Sequence, residues 1–246
     1  MRTIFDIGMH KGFDTLYYAR KGFRVVGVEA VPSLYNEAMK LNSDFVKSGQ
    51  VVAYQRALHA ASGEHVDFFV NPKKDDWGSL SKAVAERGVA VADVITVGTM
   101  TLHDLLRDHG VPYYIKCDIE GGDIIFLEQM LASTARPEFV SVELQTEENL
   151  AVLAASKYDR FQIVNQYNHP FMEKPTSTRE GLLVDMPISH IMSGPFGRDL
   201  PGQKWRSLAE TMRAFQAWQE FERLCPGATV GWIDVHASTQ ATLSMQ

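Results

Sequence analysis

The first thirty residues alternate a short apolar run, a glycine-containing turn, a stretch of helical spacing and a second apolar run, the pattern of a βαβ unit. Ile4 to Gly8 reads as a first strand and Arg24 to Glu29 as a second. Between them, Leu16, Tyr17 and Ala19 allow a short helix from Phe13 to Arg20, with Gly22 placed for a left-handed cap. Pro32-Ser33 opens a second helix carrying Leu34, Ala38, Leu41 and Phe45 on one face, and Val51 to Tyr54 supply a third strand.

Beyond Arg56 the rhythm changes. Arg56 to Ala60 and His65 to Val70 have strand character, and Ser62-Gly63 between them predicts a hairpin or an edge addition. Asn71 to Val91 is polar and reads as loop with a little helix. Thr101 followed by Asp104 signals a helix start, and Gly110 its stop. Tyr113 to Cys117 and Phe139 to Leu144 are the fourth and fifth strands, a helix covers Glu147 to Ser156, and Phe161 to Tyr167 is a sixth strand. Pro170, Pro175, Pro187, Pro195 and Pro201 then punctuate a long connection. Ser207 and Glu210 form a capping box before an apolar stripe of Leu208, Met212, Phe215 and Trp218, predicting a helix to Leu224, and Gly231 to Val235 is a closing strand. The expected architecture is α/β: a mostly parallel sheet with helices on both faces, without internal repeats.

With 45% hydrophobic and 22% charged residues in 246, the chain can bury a sizeable core in one domain. Its formal charge of −6, from 24 basic and 30 acidic residues, argues against a polyanion held by the whole surface, so nucleic acid is not an expected partner. Cys117 and Cys225 lack metal-ligand spacing and are expected as reduced thiols. The N-terminus passes straight into the first strand without a signal-peptide pattern, and no run of about 18 apolar residues occurs. A cytoplasmic protein without a membrane span is the expectation.

The chemistry concentrates at strand ends. Asp6-Ile7-Gly8-Met9-His10-Lys11-Gly12 leaves the first strand, where an open parallel sheet forms its ligand crevice. Gly8 and Gly12 permit close backbone approach, and the helix start offers free N–H groups. A dinucleotide site would want G-x-G-x-x-G; this chain has G-x-x-x-G, with Glu29 at the end of the second strand to accept bonds from ribose hydroxyls. That combination suits S-adenosylmethionine better than NAD. Asp118 and Glu120 leave the fourth strand and Glu143 ends the fifth, so several acids converge on one edge, at a cost unless a ligand, a cation or hydrogen bonds stabilise them.

Asp6 to Gly12, Ser79-Leu80, the helix start at Thr101 to Leu106, Tyr114-Ile115-Lys116-Cys117-Asp118-Ile119-Glu120-Gly121, and Arg136-Pro137 leading to Val142-Glu143 together resemble the FkbM-type S-adenosylmethionine-dependent methyltransferases, over about residues 3–145. K-x-D-x-E-G is the most specific element. His10-Lys11 and Gly122-Asp123 depart from the usual family residues, the former marking a subgroup. The resemblance implies a class I, Rossmann-like methyltransferase fold with a seven-stranded sheet, moving a methyl group to a hydroxyl of a small molecule, often a sugar or natural product. Asp6, Gly8, His10, Gly12, Thr15, Glu29 and Asp118 are then expected to bind the cofactor. Asp118, Glu120, Glu143 and His10 are the candidate general bases, a divalent cation held by the first three being the rival arrangement. The core would span residues 1–167 and an extension 168–246, the stretch Asn168 to Gly202 forming a lid or wall over the acceptor, or else a surface or oligomer contact. A cofactor-binding protein without activity and an NAD-dependent enzyme are the alternatives. His59, His103, His169, His190 and His236 share no ligand spacing, and Tyr17, Tyr18, Trp77 and Phe196 could stack on a sugar ring but default to core.

Overall fold

Strand β1 (Thr3–Ile7) ends one residue earlier than expected because Gly8 turns the chain at φ +80° into the loop that enters α1 (Phe13–Arg20). Then follow β2 (Arg24–Glu29), α2 (Pro32–Leu41), the short α3 (Ser43–Lys47) and β3 (Val51–Gln55). The computed structural model describes residues 1–89, 91–171, 176–225 and 231–244, so Pro175 of the expected proline punctuation lies outside the described residues. The expected single helix through Phe45 is broken at Asn42. Its buried amide donates to the carbonyls of Ala38 and Gly12, which ties the break to the α1 entrance and leaves Leu41 39% exposed instead of on the core face.

The hairpin expected around Ser62-Gly63 does not form. β4 (Ala57–Leu58) and β5 (His65–Val70) both pair with an intervening strand, β6 (Asp93–Met100), parallel and antiparallel respectively. β6 was hidden by its sequence, since Asp93-Val94-Ile95-Thr96 exposes residues on both faces and lacks a clean alternation. The polar segment between β5 and β6 carries a 3-10 turn at Asp75–Trp77 and a single helical turn, α4 (Lys82–Ala85).

After α5 (Leu102–His109), capped reciprocally by Thr101 and Asp104, the chain forms β7 (Tyr114–Cys117), α6 (Asp123–Ala132), β8 (Phe139–Glu143), α7 (Glu147–Ala155) and β9 (Arg160–Asn165). β9 stops before Tyr167 because Gln166–Phe171 winds into 3-10 turns. α8 (Leu208–Leu224) starts at the Ser207–Glu210 capping box, and β10 (Ile233–Ser238) and α9 (Gln240–Ser244) follow, β10 starting two residues and ending three residues later than expected.

Seven strands form one sheet in the order β3-β2-β1-β7-β8-β10-β9, all parallel except β10, which runs antiparallel between β8 and β9. This is the seven-stranded Rossmann-like architecture that the resemblance implies. The crossover between β1 and β7 makes the switch point at which such sheets open a crevice. One face packs Phe5, Ile7, Val140 and Val142 against Leu102, Phe126, Leu150 and Phe215 of the helices. On the other face, Ile4, Val25, Tyr114 and Phe139 meet Tyr17 and Tyr18 of α1 and then Met192, Phe196, Leu200 and Trp205 of the long connection. Phe196 stacks flat on Tyr114, centroids 4.6 Å apart. The connection thus does the work of a packing helix there, held by buried ionic groups: Asp14 accepts the Ser193 and Gly194 amides, and Lys21 donates to Asp199 at 2.8 Å. Among the described residues no helix is long and apolar enough to cross a membrane.

Candidate active site

The C-terminal ends of β1, β2, β7 and β8 open into a cleft of about 370 Å³, bounded on the far side by the Asp75–Trp77 turn and by Gln166, His190 and Trp232. The Gly8 loop forms its floor. Gly8 and Met9 donate to the Val28 carbonyl at 2.9 and 3.0 Å, while a Cβ at Gly8 would sit 1.8 Å from the Asp118 carbonyl oxygen. Only glycine allows the loops after β1 and β7 to touch, with φ +80° adding to the restriction. Gly8→Ala is expected to cost about 1–3 kcal/mol from overpacking alone, read as a lower urea midpoint and weaker S-adenosylhomocysteine binding; an unchanged midpoint would contradict the close approach. Gly12, also at positive φ, is crowded by Ala38 of α2 and by Asn42 just beyond it rather than facing the cleft.

Below the loop lies a buried ionic core. Asp6, fully buried, accepts from Thr15 Oγ1 at 2.6 Å and lies 3.6 Å from Lys116 Nζ. Lys116 Nζ donates to the Gly8 carbonyl at 2.7 Å and stands 3.5 Å from Asp118. Burial pushes the Asp6 carboxyl up while Lys116 and Thr15 pull it down; for Lys116, burial works against the charge but Asp118, Asp6 and Asp14 outweigh it and hold the ammonium firmly protonated. Asp6 and Thr15 therefore support the loop from beneath. Lys116, quoted in the K-x-D-x-E-G element but given no role there, is the cation that ties β1, the loop and Asp118 together.

At one end of the cleft, Glu29 Oε1 accepts the Val31 amide and Oε2 the His10 amide, both at 2.8 Å. Burial raises this carboxyl to about 7 despite those two donors. Each oxygen retains a lone pair, and Ala30, Val31, Leu34 and Phe68 form apolar walls beside it. An acceptor for vicinal hydroxyls flanked by apolar surface fits a nucleoside. His10 itself has φ +49°; its ring, with pKa lowered chiefly by burial, lies 3.4 Å from Asp75.

At the other end, Asp118, Glu120 and Glu143 bring one carboxylate oxygen each within 4.8 Å of one another. His10 is not among them. Burial, then the charges of Asp118 and Glu143, push Glu120 up to about 8 although Arg87 pairs with it. Burial and Asp118 raise Glu143 to about 6 against a 2.6 Å bond from Gln145.

The sequence reading missed a further group. Gln166 bridges Asp234 and the Trp232 indole N–H (2.9 Å), and His190 meets Trp232 edge-on, all four lining the cleft. The antiparallel sense of β10 brings its first residues to the edge where β8 ends, a placement no local motif announces. Of the aromatics considered for a sugar, Trp77 lines the cleft; Tyr17, Tyr18 and Phe196 are core. Cys117 and Cys225 are free thiols.

No curated protein matches the chain in sequence. Among solved structures it is similar to a precorrin-6Y C5,15-methyltransferase from Geobacter metallireducens (8% identity, 97% of this chain and 79% of that one, TM-score 0.43). It is also similar to the C-terminal domain of the corresponding enzyme from Rhodobacter capsulatus (12%, 67% and 66%, 0.39) and to the human methyltransferase 10 domain containing protein (13%, 67% and 65%, 0.39). The family model for the methyltransferase FkbM domain matches residues 6–167, which include the Gly8 loop, Glu29 and the carboxylates after β7 and β8. The chain belongs to the FkbM family of S-adenosylmethionine-dependent methyltransferases.

Proposed function

We propose that this methyltransferase moves the methyl group to a hydroxyl of a small molecule, a sugar or natural product being the class favoured. The observation that carries the reading is that one cleft joins a nucleoside-suited end at Glu29 to a carboxylate cluster with basicity near neutral pH. When bound, S-adenosylmethionine supplies an electrophilic methyl group. Glu29 would hold the ribose hydroxyls, and the loop from Gly8 to Gly12, with His10, would shape the pocket above the Asp6–Thr15–Lys116 support. Asp118 would border both cofactor and acceptor.

A hydroxyl must lose its proton as it becomes an ether. Glu143 and Glu120 have the proton affinity to take it, because a base works best when its pKa lies near the working pH. Asp118 is more open than Glu120 and can orient the hydroxyl. His10 is a less favoured base, given its ring's place beside Asp75. The lid or wall reading for Asn168 to Gly202 narrows to its cleft-facing part: His190 and Ile191, with Trp232, would wall the acceptor, while Met192 to Leu200 packs on the sheet. Incubation with S-adenosylmethionine and a panel of hydroxylated acceptors, with the product linkage read by NMR, tests the proposal. An N- or C-methyl product would overturn the hydroxyl assignment, and cofactor binding without turnover on any acceptor would favour the second reading, a binding protein.

Cofactor affinity should follow the Glu29 carboxylate. If the ionised form accepts the ribose hydroxyls and titrates near 7, S-adenosylhomocysteine should bind about tenfold more weakly at pH 6 than at pH 8. Glu29→Ala should lose about 1.5–3 kcal/mol of binding and flatten that dependence. Calorimetry across the pH range checks it; a retained slope in the variant would assign the titration elsewhere.

A further inference from the structure

The carboxylates at the acceptor end are poorly matched by the chain's own cations. Arg87 pairs with Glu120 and stacks over Trp77 at 4.8 Å, and Lys116, 3.5 Å from Asp118, is shared with Asp6 and the Gly8 carbonyl. Glu143 has an amide from Gln145. A separate observation comes from β10. Asp234 is directly opposite Glu143 in the antiparallel register, so the two side chains project from the same face of the sheet. Asp234 is 2% exposed and lines the same cleft; Gln166 donates to its Oδ2, and its Oδ1 has no hydrogen-bond partner. A buried carboxylate oxygen left without a donor, cross-strand from Glu143 and under the charges of Asp118 and Glu143, marks a place where something positive belongs.

We propose that Asp118, Glu120 and Glu143 hold a hard divalent cation of the magnesium, manganese or calcium class, with the free Asp234 oxygen binding it directly or through a coordinated water. Oxygen-only donors select against zinc and copper and for this class. The site lies on the acceptor side, away from Glu29. Its use rests on the hydroxyl-transfer reading: a hydroxyl bound to the cation would be more acidic, so that solvent or a carboxylate oxygen not on the cation could take its proton as the oxygen–methyl bond forms and the sulfur–methyl bond breaks, S-adenosylhomocysteine leaving. Binding of the cation does not rest on that reading.

The test uses the full-length protein stripped with a chelator, saturated with S-adenosylhomocysteine, and titrated with Mn²⁺ by calorimetry. Tb³⁺ serves as a luminescent probe, excited through Trp232 and Trp77 at the cleft. One Mn²⁺ per chain is expected, displaced by excess Mg²⁺ or Ca²⁺, with thermal stabilisation on binding. Asp234→Asn should weaken Mn²⁺ about 10–100-fold, and Glu143→Gln more. Should either variant fail to fold, Glu120→Gln, whose residue is partly exposed, takes its place. No Mn²⁺ binding by the wild type, or affinity unchanged in these folded variants, would overturn the site. The two proposals fail separately: Mn²⁺ binding with no hydroxyl acceptor methylated sinks only the reaction, and hydroxyl methylation unaffected by chelator with no Mn²⁺ bound sinks only the site.

Discussion

Asp118→Asn is expected to lower turnover by about 10²–10⁴, the span for losing a group that acts on proton transfer, while cofactor affinity changes by less than about tenfold and the melting temperature holds or rises. The asymmetry follows from where Asp118 sits. Its side chain is a third exposed and its charge is among the influences that raise Glu120, Asp123, Glu143 and Asp234, so neutralising it relieves repulsion that offsets the lost attraction to Lys116. A purely structural role would give the reverse, a fall in stability with little change in kcat. The prediction holds whether Asp118 orients the hydroxyl directly or does so as a cation ligand. Steady-state kinetics beside a thermal melt checks it, and equal losses in affinity and turnover would show that Asp118 serves the cofactor alone.

Lys116→Met should cost about 3–5 kcal/mol of stability, the usual consequence of removing one partner from a buried charge pair. That would lower the melting temperature by roughly 6–20 °C in a domain of this size. Asp6 would keep Thr15 but lose its countercharge, and the Gly8 carbonyl would lose its donor. The pH dependence has a definite sign. An aspartic acid whose folded pKa is raised by burial gives its stability at low pH and loses it as pH climbs through the folded value. Without Lys116 the Asp6 pKa rises further, so the deficit of the variant should be larger at pH 8 than at pH 5. Urea titrations of both proteins at the two pH values measure this; a deficit independent of pH would mean that Lys116 acts through packing. Cofactor binding should fall with it, because the Gly8 loop rests on this ammonium.

The local elements were legible wherever one residue type settles the backbone. The capping pairs Thr101–Asp104 and Ser207–Glu210 set the starts of α5 and α8, and both helices begin where those pairs place them. The αβ alternation named the sheet, and the acids at the ends of β2, β7 and β8 named its functional edge. Where pairing partners lie far apart in sequence, local pattern had no purchase. β4 and β5 looked like a hairpin because they are neighbours in sequence, yet each finds better pairing on β6, whose exposed faces erase the alternation that would have announced it.

The same division runs through the site. Gly8 was readable as a place of close approach, but that the approaching group is the Asp118 carbonyl follows only from β1 and β7 lying side by side. Asp6 and Thr15 belong to the motif, yet tertiary burial makes them a support for the loop, with Lys116 supplying the charge that makes their burial tolerable. Asp234, Gln166 and Trp232 carried no motif; an antiparallel last strand and a turn after β9 bring them to the cleft. Thus the sequence by itself determined most helices and the parallel strands of the main sheet, the glycine loop and which acids stand at strand ends, since those depend on local backbone preference and on the period of apolar residues. Only the tertiary structure decided which acids meet, which cations are already spent and how far each carboxyl is shifted, because desolvation and Coulomb interactions depend on distances between segments that lie from about 20 to more than 100 residues apart.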